Sequence, residues 1–281
     1  MKIKICSDST CDLSTGLIQK YDISVLPLYV MKDGEEHRDG VDITPDDIYA
    51  FTTETGKLCT TAAISVQDYI DFFTEQLADC DELVHFHISS DMSSCYQNAC
   101  IAASELDKKV YPVDARNLST GIGQLVLAAA EMAQAGASGE EIAEAMNAKR
   151  EKLDVSFVVD TLVYLHKGGR CSAVAALGAN LLSLKPCIEV KEGTMGVGKK
   201  YRGSMEKCLT QYVRDRLAGR DDVDTKRIFI THSGVTPDLI EKVRDEVLKH
   251  QKFEEVLITR AGSTISSHCG PGTLGILFLT K

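Results

Sequence analysis

Hydroxyl-bearing side chains are concentrated in three short segments, residues 7–10, 59–65 and 89–94. A single Ser or Thr in such a segment usually caps a helix or stabilises a turn. Several such segments at one edge of a sheet would instead offer a group of neutral hydrogen-bond donors. Such a group suits a carboxylate or a phosphate better than a cation. The three segments therefore predict an anion site, with capping as the alternative for each residue taken singly.

Two arginines could add positive charge to this site. Arg170 follows a pair of glycines, which let the backbone pass close to another group, and its guanidinium presents several donors in a fixed geometry. A helix C-cap followed by a solvated arginine is an equally good interpretation of this segment. Arg202, at the end of a predicted strand, allows the same two interpretations.

Three histidines are candidates for catalysis or metal binding. His268 lies among glycines and a proline in residues 266–272, which predict a loop that fixes the ring. His268 and Ser93 could form a hydrolase pair, but the chain has no G-x-S-x-G elbow and no evident acid to orient the ring. His85 and His87 share one face of a strand, where packing is favoured over metal binding because no third ligand accompanies them. We therefore predict no metal site.

Nucleotide cofactors are also disfavoured. Residues 193–200 spell most of a Walker A loop, but Lys200 stands where a Ser or Thr should bind magnesium. The segment also continues in alternation like the arm of a hairpin, whereas a phosphate loop is followed by a helix. No G-x-G-x-x-G motif opens a helix, so dinucleotide binding has no support either.

The predicted secondary structure that would position these residues differs between the two halves of the chain. In the first half, strand-like runs alternate with helical patterns, which is typical of a parallel sheet covered by helices. The predicted strands of this half are residues 2–6, 23–30, 83–88, 109–113 and 155–159. Helix starts are indicated at Thr44 and Ser138, where capping residues precede acidic first turns.

The second half predicts a mixed sheet. Residues 185–191 and 195–201 flank Glu192 and Gly193 as a β-hairpin, which does not fit an all-parallel sheet. The expected fold class is thus α/β, with an N-terminal parallel-sheet three-layer domain over residues 1–160. A C-terminal mixed-sheet α/β domain is expected over residues 161–281, with the ligand between the two.

Composition narrows the possible partners and the compartment. The 281 residues carry a formal net charge of −10 without a concentrated basic patch, which disfavours nucleic acid. No run of eighteen apolar residues predicts a membrane span, and the first residues enter a strand pattern rather than a signal peptide. We therefore expect a cytoplasmic protein. Its ten cysteines contain no C-x-x-C pair, and five are predicted to be buried thiols: Cys6, Cys80, Cys100, Cys187 and Cys208.

Several of these motifs, taken in order, resemble the DegV family. They are residues 7–10, 39–45, 89–96, 160–162, 165–170, 184–186, 200–203 and 268–272. Members of this family bind long-chain fatty acids and include the acid-binding subunits of bacterial fatty acid kinase. Two segments depart from the family pattern. Residues 61–65 lack its proline and one of its serines, and Ser94 and Cys95 replace its glycine and threonine.

The resemblance implies a carrier rather than an enzyme, with no cofactor other than a bound fatty acid such as palmitate. It implies that Thr61, Ser93, Arg202 and His268 hold the carboxylate. Arg170, and with it Ser65, would belong to the carboxylate surroundings or to a docking surface for a separate ATP-dependent kinase, which would form an acyl-phosphate. Residues 173–184 would line the acyl chain or simply pack as a helix. Two alternatives stay open: a hydrolase or transferase that uses Ser93 and His268, and a module whose pocket has filled.

Overall fold

The first sheet is parallel and places two of the hydroxyl-rich segments at one edge. The computed structural model describes residues 2–172 and 184–281. Strands β1 (Ile3–Asp8), β2 (Ser24–Leu26), β6 (Glu82–His87) and β7 (Val110–Asp114) pair in parallel in the order β2-β1-β6-β7. Because their carboxyl ends share an edge, the segments after β1 and β6 lie side by side.

A small antiparallel sheet carries the third hydroxyl-rich segment. It contains β3 (Tyr29–Lys32), β4 (Glu35–Arg38) and β5 (Thr60–Ala62) in the order β4-β3-β5. The prediction of one strand over residues 23–30 is wrong, because the chain leaves the parallel sheet after β2 and starts β3 in the small sheet. Pro27 lies between the two strands and has no N–H to donate to either ladder.

The second large sheet is mixed, as the sequence predicts. Its strands run in the order β10-β9-β8-β13-β11-β12, and within it β11 and β12 pair in parallel. The predicted hairpin is confirmed as β9 and β10, and its turn residues Glu192 and Gly193 have φ of 49° and 83°. Positive φ at both positions is the type I′ geometry that suits a two-residue hairpin. The strand bounds are β8 (Leu153–Val158), β9 (Leu184–Lys191), β10 (Thr194–Arg202), β11 (Val223–Ser233), β12 (Glu255–Arg260) and β13 (Thr273–Thr280).

Strand β8 belongs to a different sheet from the one the sequence suggests. We assigned residues 155–159 to the parallel sheet, but β8 pairs antiparallel with β9 and β13 in the mixed sheet. The alternation of apolar and polar residues, together with apolar content, indicates that a strand is buried. These features do not identify the strands with which it pairs. A strand of the mixed sheet thus precedes the proposed domain boundary near residue 160, and that boundary stays a prediction.

Two helices begin at the predicted capping residues, and a third begins at Ser204. Thr44 and Ser138 both form capping boxes, and Ser204 accepts a hydrogen bond at the start of its helix. The bounds are α1 (Thr15–Lys20), α2 (Pro45–Thr55), α3 (Val66–Leu77), α4 (Cys95–Ser104), α5 (Thr120–Gln134), α6 (Gly139–Lys149), α7 (Val163–Gly168), α8 (Met205–Leu217), α9 (Pro237–His250) and α10 (Ser263–Cys269). Across the described ranges, no helix combines the length and apolar character needed to cross a bilayer.

Helix α5 joins the two large sheets in one core. Its first eleven residues are buried except Ala128, and the largest apolar cluster contains Leu125 of this helix, Phe86 of the parallel sheet and Leu277 of the mixed sheet. Burial of side chains this size on both sides of one helix stabilises the relative position of the sheets. The polar segments from the two halves are therefore held at a fixed distance.

The predicted cysteine burial is largely confirmed. Cys6, Cys80, Cys187 and Cys208 are buried free thiols, whereas Cys100 is half-buried. Burial raises the pKa of the Cys6 thiol and takes that of Cys187 to about 12. These thiols act as small apolar side chains rather than as reactive groups.

Candidate functional site

A cavity of about 210 Å³ lies where the three sheets approach one another. Side chains of opposite character form its walls. The polar ones are Thr61, Ser93, Ser94, Arg170, Thr264 and His268, and the larger apolar ones are Leu28, Ile88, Met92, Leu118, Met195 and Ile265. Thr61, Ser93, Arg170 and His268, which the sequence singles out as candidate site residues, thus line a single cavity.

Thr61 and His268 are in direct contact, although 207 residues separate them. Thr61 Oγ1 lies 2.8 Å from His268 Nε2, so β5 of the small sheet is joined to α10 of the C-terminal half. The expectation of a loop at His268 is wrong, because the ring lies in helix α10, which ends where Gly270 adopts a φ of 73°. Glycine and proline at residues 270–272 mark the end of this helix rather than a loop around the ring.

His268 is a neutral group at neutral pH. Burial, with a smaller contribution from the Arg170 guanidinium, lowers the pKa of His268 from 6.5 to about 4. One ring nitrogen then donates and the other accepts. Gly168 permits the close packing of this ring, because a Cβ at that position would overlap His268 Nδ1. Gly168 therefore serves close backbone approach, whereas Gly169, with a φ of 70°, is the C-cap of α7 and is followed by the exposed Arg170, so both interpretations offered by the sequence are confirmed.

Ser93 also lines the cavity and precedes Ser94, the N-cap of α4. Its Oγ accepts a hydrogen bond from the backbone N–H of Cys95 at 3.3 Å and donates one to Cys95 Sγ at 3.1 Å. A thiol is a weak acceptor, so the hydroxyl proton can turn towards a stronger acceptor in the cavity. Ser93 thus binds the first N–H of α4 and is an available donor.

The mouth of the cavity reaches solvent near Arg170 and Ser94, which are both exposed. Arg170 Nη1 donates to the carbonyl of Gly168 at 2.8 Å, which directs the guanidinium along the cavity wall. The positive charge therefore lies at the outer, polar end of the cavity, close to the Thr61–His268 pair.

The inner end of the cavity is apolar. A second, narrower cavity of about 20 Å³ shares Leu118, Ile265 and Cys269 with the first, and its walls include Phe157 and Leu277. The two cavities are therefore neighbours across these three residues, the first with a polar mouth and the second with mainly apolar walls. This is the arrangement that an amphiphile with one small polar end would require.

Two of the predicted site residues lie apart from this group. Arg202 is exposed at the far end of β10, seven residues beyond Met195, and is not among the residues that line the cavity. Seven residues of a strand span roughly 20 Å, which is more than an arginine side chain can reach. Ser65 is exposed and caps α3, where its Oγ lies 2.6 Å from Asp68 Oδ2. Of the predicted lining segment over residues 173–184, all but Leu184, the first residue of β9, lie outside the described residues.

Thr264 is a site residue that sequence reasoning missed. It lies on α10 one turn before His268, it is buried, and its Oγ1 has no hydrogen-bond partner within residues 2–172 and 184–281. The spacing of four residues on a helix puts both side chains on one face. That signal was not available from the sequence, because residues 266–272 predict a loop.

His85 and His87 are packed in the core, as predicted. Their rings stack with centroids 4.3 Å apart and contact Tyr69 edge-on. Burial lowers the pKa of His85 to about 3 and that of His87 well below its usual value, so both rings are neutral. They form an aromatic cluster beneath the site rather than part of it.

Comparison with known proteins places the chain in a family. The model of the DegV family, described as uncharacterised proteins, matches residues 2–281. The chain belongs to the DegV family. A DegV domain-containing protein of Caldanaerobacter subterraneus is 30% identical over 100% of this chain and 99% of its own length.

Two solved DegV-like structures share this architecture. A DegV family protein from Thermus thermophilus, described by its fatty acid binding, has a TM-score of 0.89 and 34% identity, with each chain fully covered. A stearic acid-binding protein from Eubacterium ventriosum has a TM-score of 0.85 and 28% identity, with 100% of this chain and 99% of the other covered. The expected α/β fold is therefore confirmed as the DegV fold.

Proposed function

We propose that this protein binds one long-chain fatty acid, with the carboxylate at Thr61, Ser93 and His268 and the hydrocarbon chain directed inwards. The observation that carries the proposal is one cavity whose walls combine a polar, partly cationic group of residues with an apolar group, beside a second, mainly apolar cavity that shares three of its residues. A pocket for a sugar or a nucleotide would instead be expected to have polar groups along its whole length, because these ligands are polar along theirs.

The energetics favour this orientation of the ligand. A chain of about sixteen carbons gains roughly 12 kcal/mol from burial at about 0.8 kcal/mol per methylene, before ordering costs. A buried carboxylate without partners costs several kcal/mol, so the polar end must lie where donors converge. Hydroxyl protons of Thr61 and Ser93 and the charge of Arg170 are available only at the mouth.

The family relationship supports the same ligand class. The Thermus thermophilus and Eubacterium ventriosum proteins, which share this fold over the whole chain, are described as binding a fatty acid and stearic acid. The present chain has a cavity lined by Thr61, Ser93 and His268, the residues for which the resemblance implies carboxylate binding.

The protein would present the bound carboxylate to a separate ATP-dependent kinase in the cytoplasm, which would form an acyl-phosphate. The carboxylate end lies at the exposed mouth, next to Arg170 and Ser94, so a partner could reach it without release of the acid. The Walker-like residues 193–200 form the turn and first part of β10 instead of a phosphate-binding loop. The phosphate donor is therefore assigned to the partner.

Among residues 2–172 and 184–281, no contact in the cavity favours the alternative of a hydrolase or transferase. The hydroxyl of Ser93 is bonded to Cys95 rather than to His268. His268 Nδ1 has no hydrogen-bond partner in the part of the chain that the structure describes, and so no acid that would orient the ring as a general base.

Extraction of the purified protein under denaturing conditions, followed by mass spectrometry, tests the proposal. We expect about one fatty acid per chain from lipid-replete cells, and stoichiometric uptake of palmitate by delipidated protein in calorimetry. An empty protein that also fails to bind palmitate would contradict it. Transfer of labelled phosphate from ATP to the bound acid, in a lysate of the source organism and only when this protein is added, tests the kinase step.

A further inference from the structure

Two buried carboxylates hold the amino end of the helix that carries His268. Asp39 Oδ1 accepts the N–H of Ser263 at 2.6 Å, and Asp39 Oδ2 accepts that of Thr264 at 3.1 Å. Asp12 Oδ1 accepts the N–H of Gly262 at 2.8 Å. These N–H groups have no partner within a helix, so each carboxylate satisfies a donor that would otherwise be unpaired in a buried place.

Both acids come from the N-terminal half, far from α10 in the sequence. Asp12 follows β1 and Asp39 follows β4, and their exposed fractions are 6% and 4%. Their orientations are fixed in turn: Ser9 Oγ donates to Asp39 Oδ2 at 2.9 Å, and Ser119 Oγ donates to Asp12 Oδ2 at 2.5 Å. A chain of hydrogen bonds therefore extends from the parallel sheet to α10.

We propose that Asp39 is a positioning residue for the acid-binding site, which acts by fixing α10 so that His268 reaches Thr61; Asp12 supports it at the preceding residue. This inference rests on the proposed function. Helix α10 has only seven residues, and its first turn holds Thr264 while its last holds His268. In so short a helix, a rotation at the amino end moves the whole cavity-facing side, so the carboxylate that binds two N–H groups sets the position of the ring.

The carboxylate chemistry matters for this role. Both oxygens of Asp39 accept hydrogen bonds from successive backbone N–H groups, and the negative charge faces the positive end of the helix dipole. An asparagine has the same shape, but one of its two terminal groups is a donor. In Asp39→Asn, the side-chain NH₂ group would therefore face one of the two backbone N–H groups, and this repulsion would displace the first turn of α10. The substitution would open no cavity, because the two side chains have the same size.

A double-mutant cycle tests whether Asp39 acts through His268. We expect Asp39→Asn to weaken palmitate binding about tenfold in the wild-type background and less than about twofold when combined with His268→Ala. Equal losses in both backgrounds, or no loss in the first, would overturn the proposal. Asp33→Asn is the matched control, because Asp33 lies in the β3–β4 turn and its side chain pairs with exposed Lys57. It should leave palmitate affinity unchanged.

A second readout separates this inference from the proposed function. In the ligand-free protein, NMR of ¹⁵N-labelled histidines should show displaced ring signals of His268 in Asp39→Asn and unchanged ones in Asp33→Asn. Unmoved His268 signals would overturn the positioning role, whether or not palmitate binds. If Asp39→Asn does not fold, the same measurements apply to Ser9→Ala, which removes the donor to Asp39 Oδ2. Ser9→Ala also removes the acceptor of the Leu28 N–H at 3.0 Å, and because Leu28 lines the cavity, the dependence of the loss on His268 separates the two effects. About threefold weaker palmitate binding is then expected, again only when His268 is present, and unchanged binding would overturn the proposal.

Discussion

At the scale of single residues, uncharged hydrogen-bond donors from several side chains point to the place where the carboxylate of the ligand would bind. Thr61 and His268 form a bonded pair, and the pKa of His268, lowered to about 4, leaves the ring uncharged. Among the polar wall residues in the described part of the chain, Arg170 alone carries a formal charge. A carboxylate bound here would gain hydrogen bonds and one cation without a buried ion pair.

Thr61→Val should weaken palmitate binding about tenfold, because it keeps the shape of the side chain and removes the hydroxyl. Arg202→Ala, at the exposed far end of β10, should leave the affinity unchanged. Calorimetric titration with palmitate checks both variants. Equal affinity of the Thr61 variant and the wild type, or a loss in the Arg202 variant, would show that the carboxylate is held elsewhere.

At the scale of elements, short segments at the junctions of the sheets bring the site together. Strand β5 has three residues, α10 has seven and α7 has six, and each carries or supports one wall. Elements this short have weak periodicity, which explains why the sequence predicts the longer hairpin of β9 and β10 correctly but not the small sheet or α10. The pairing of β8 was missed for a different reason: the apolar sequence of a strand indicates that it is buried but not which strand it pairs with.

A pair of glycine variants in α7 and its cap tests the packing of this junction. Gly168→Ala should weaken palmitate binding about tenfold, because the new methyl group overlaps His268 Nδ1 and moves the ring from Thr61. Gly169→Ala has open space for its Cβ but a φ of 70°, so it should cost about 1–2 kcal/mol of stability and leave the ring in place. Thermal unfolding and palmitate titration distinguish the two effects, and wild-type binding by the Gly168 variant would contradict the assignment.

At the scale of the whole molecule, the fold brings residues that are far apart in the sequence together around one cavity. Helix α5 fixes the parallel sheet against the mixed sheet, and the carboxylates of Asp12 and Asp39 join the N-terminal half to α10. The fold class could be predicted from alternating strands and helices followed by a hairpin. An anion site could be predicted from the three hydroxyl-rich segments, but its geometry could not, because contacts such as that between Thr61 and His268 depend on tertiary structure. The assignment of carboxylate binding to particular residues came from family motifs, which also suggested Arg202.

The most direct test of the account is a crystal structure of the protein saturated with palmitate. The account predicts the carboxylate oxygens within about 2.7–3.2 Å of the hydroxyl groups of Thr61 and Ser93, with the hydrocarbon chain passing Leu118 and Ile265 towards Phe157. A carboxylate bound away from these hydroxyl groups, or a chain that leaves the inner cavity empty, would contradict it.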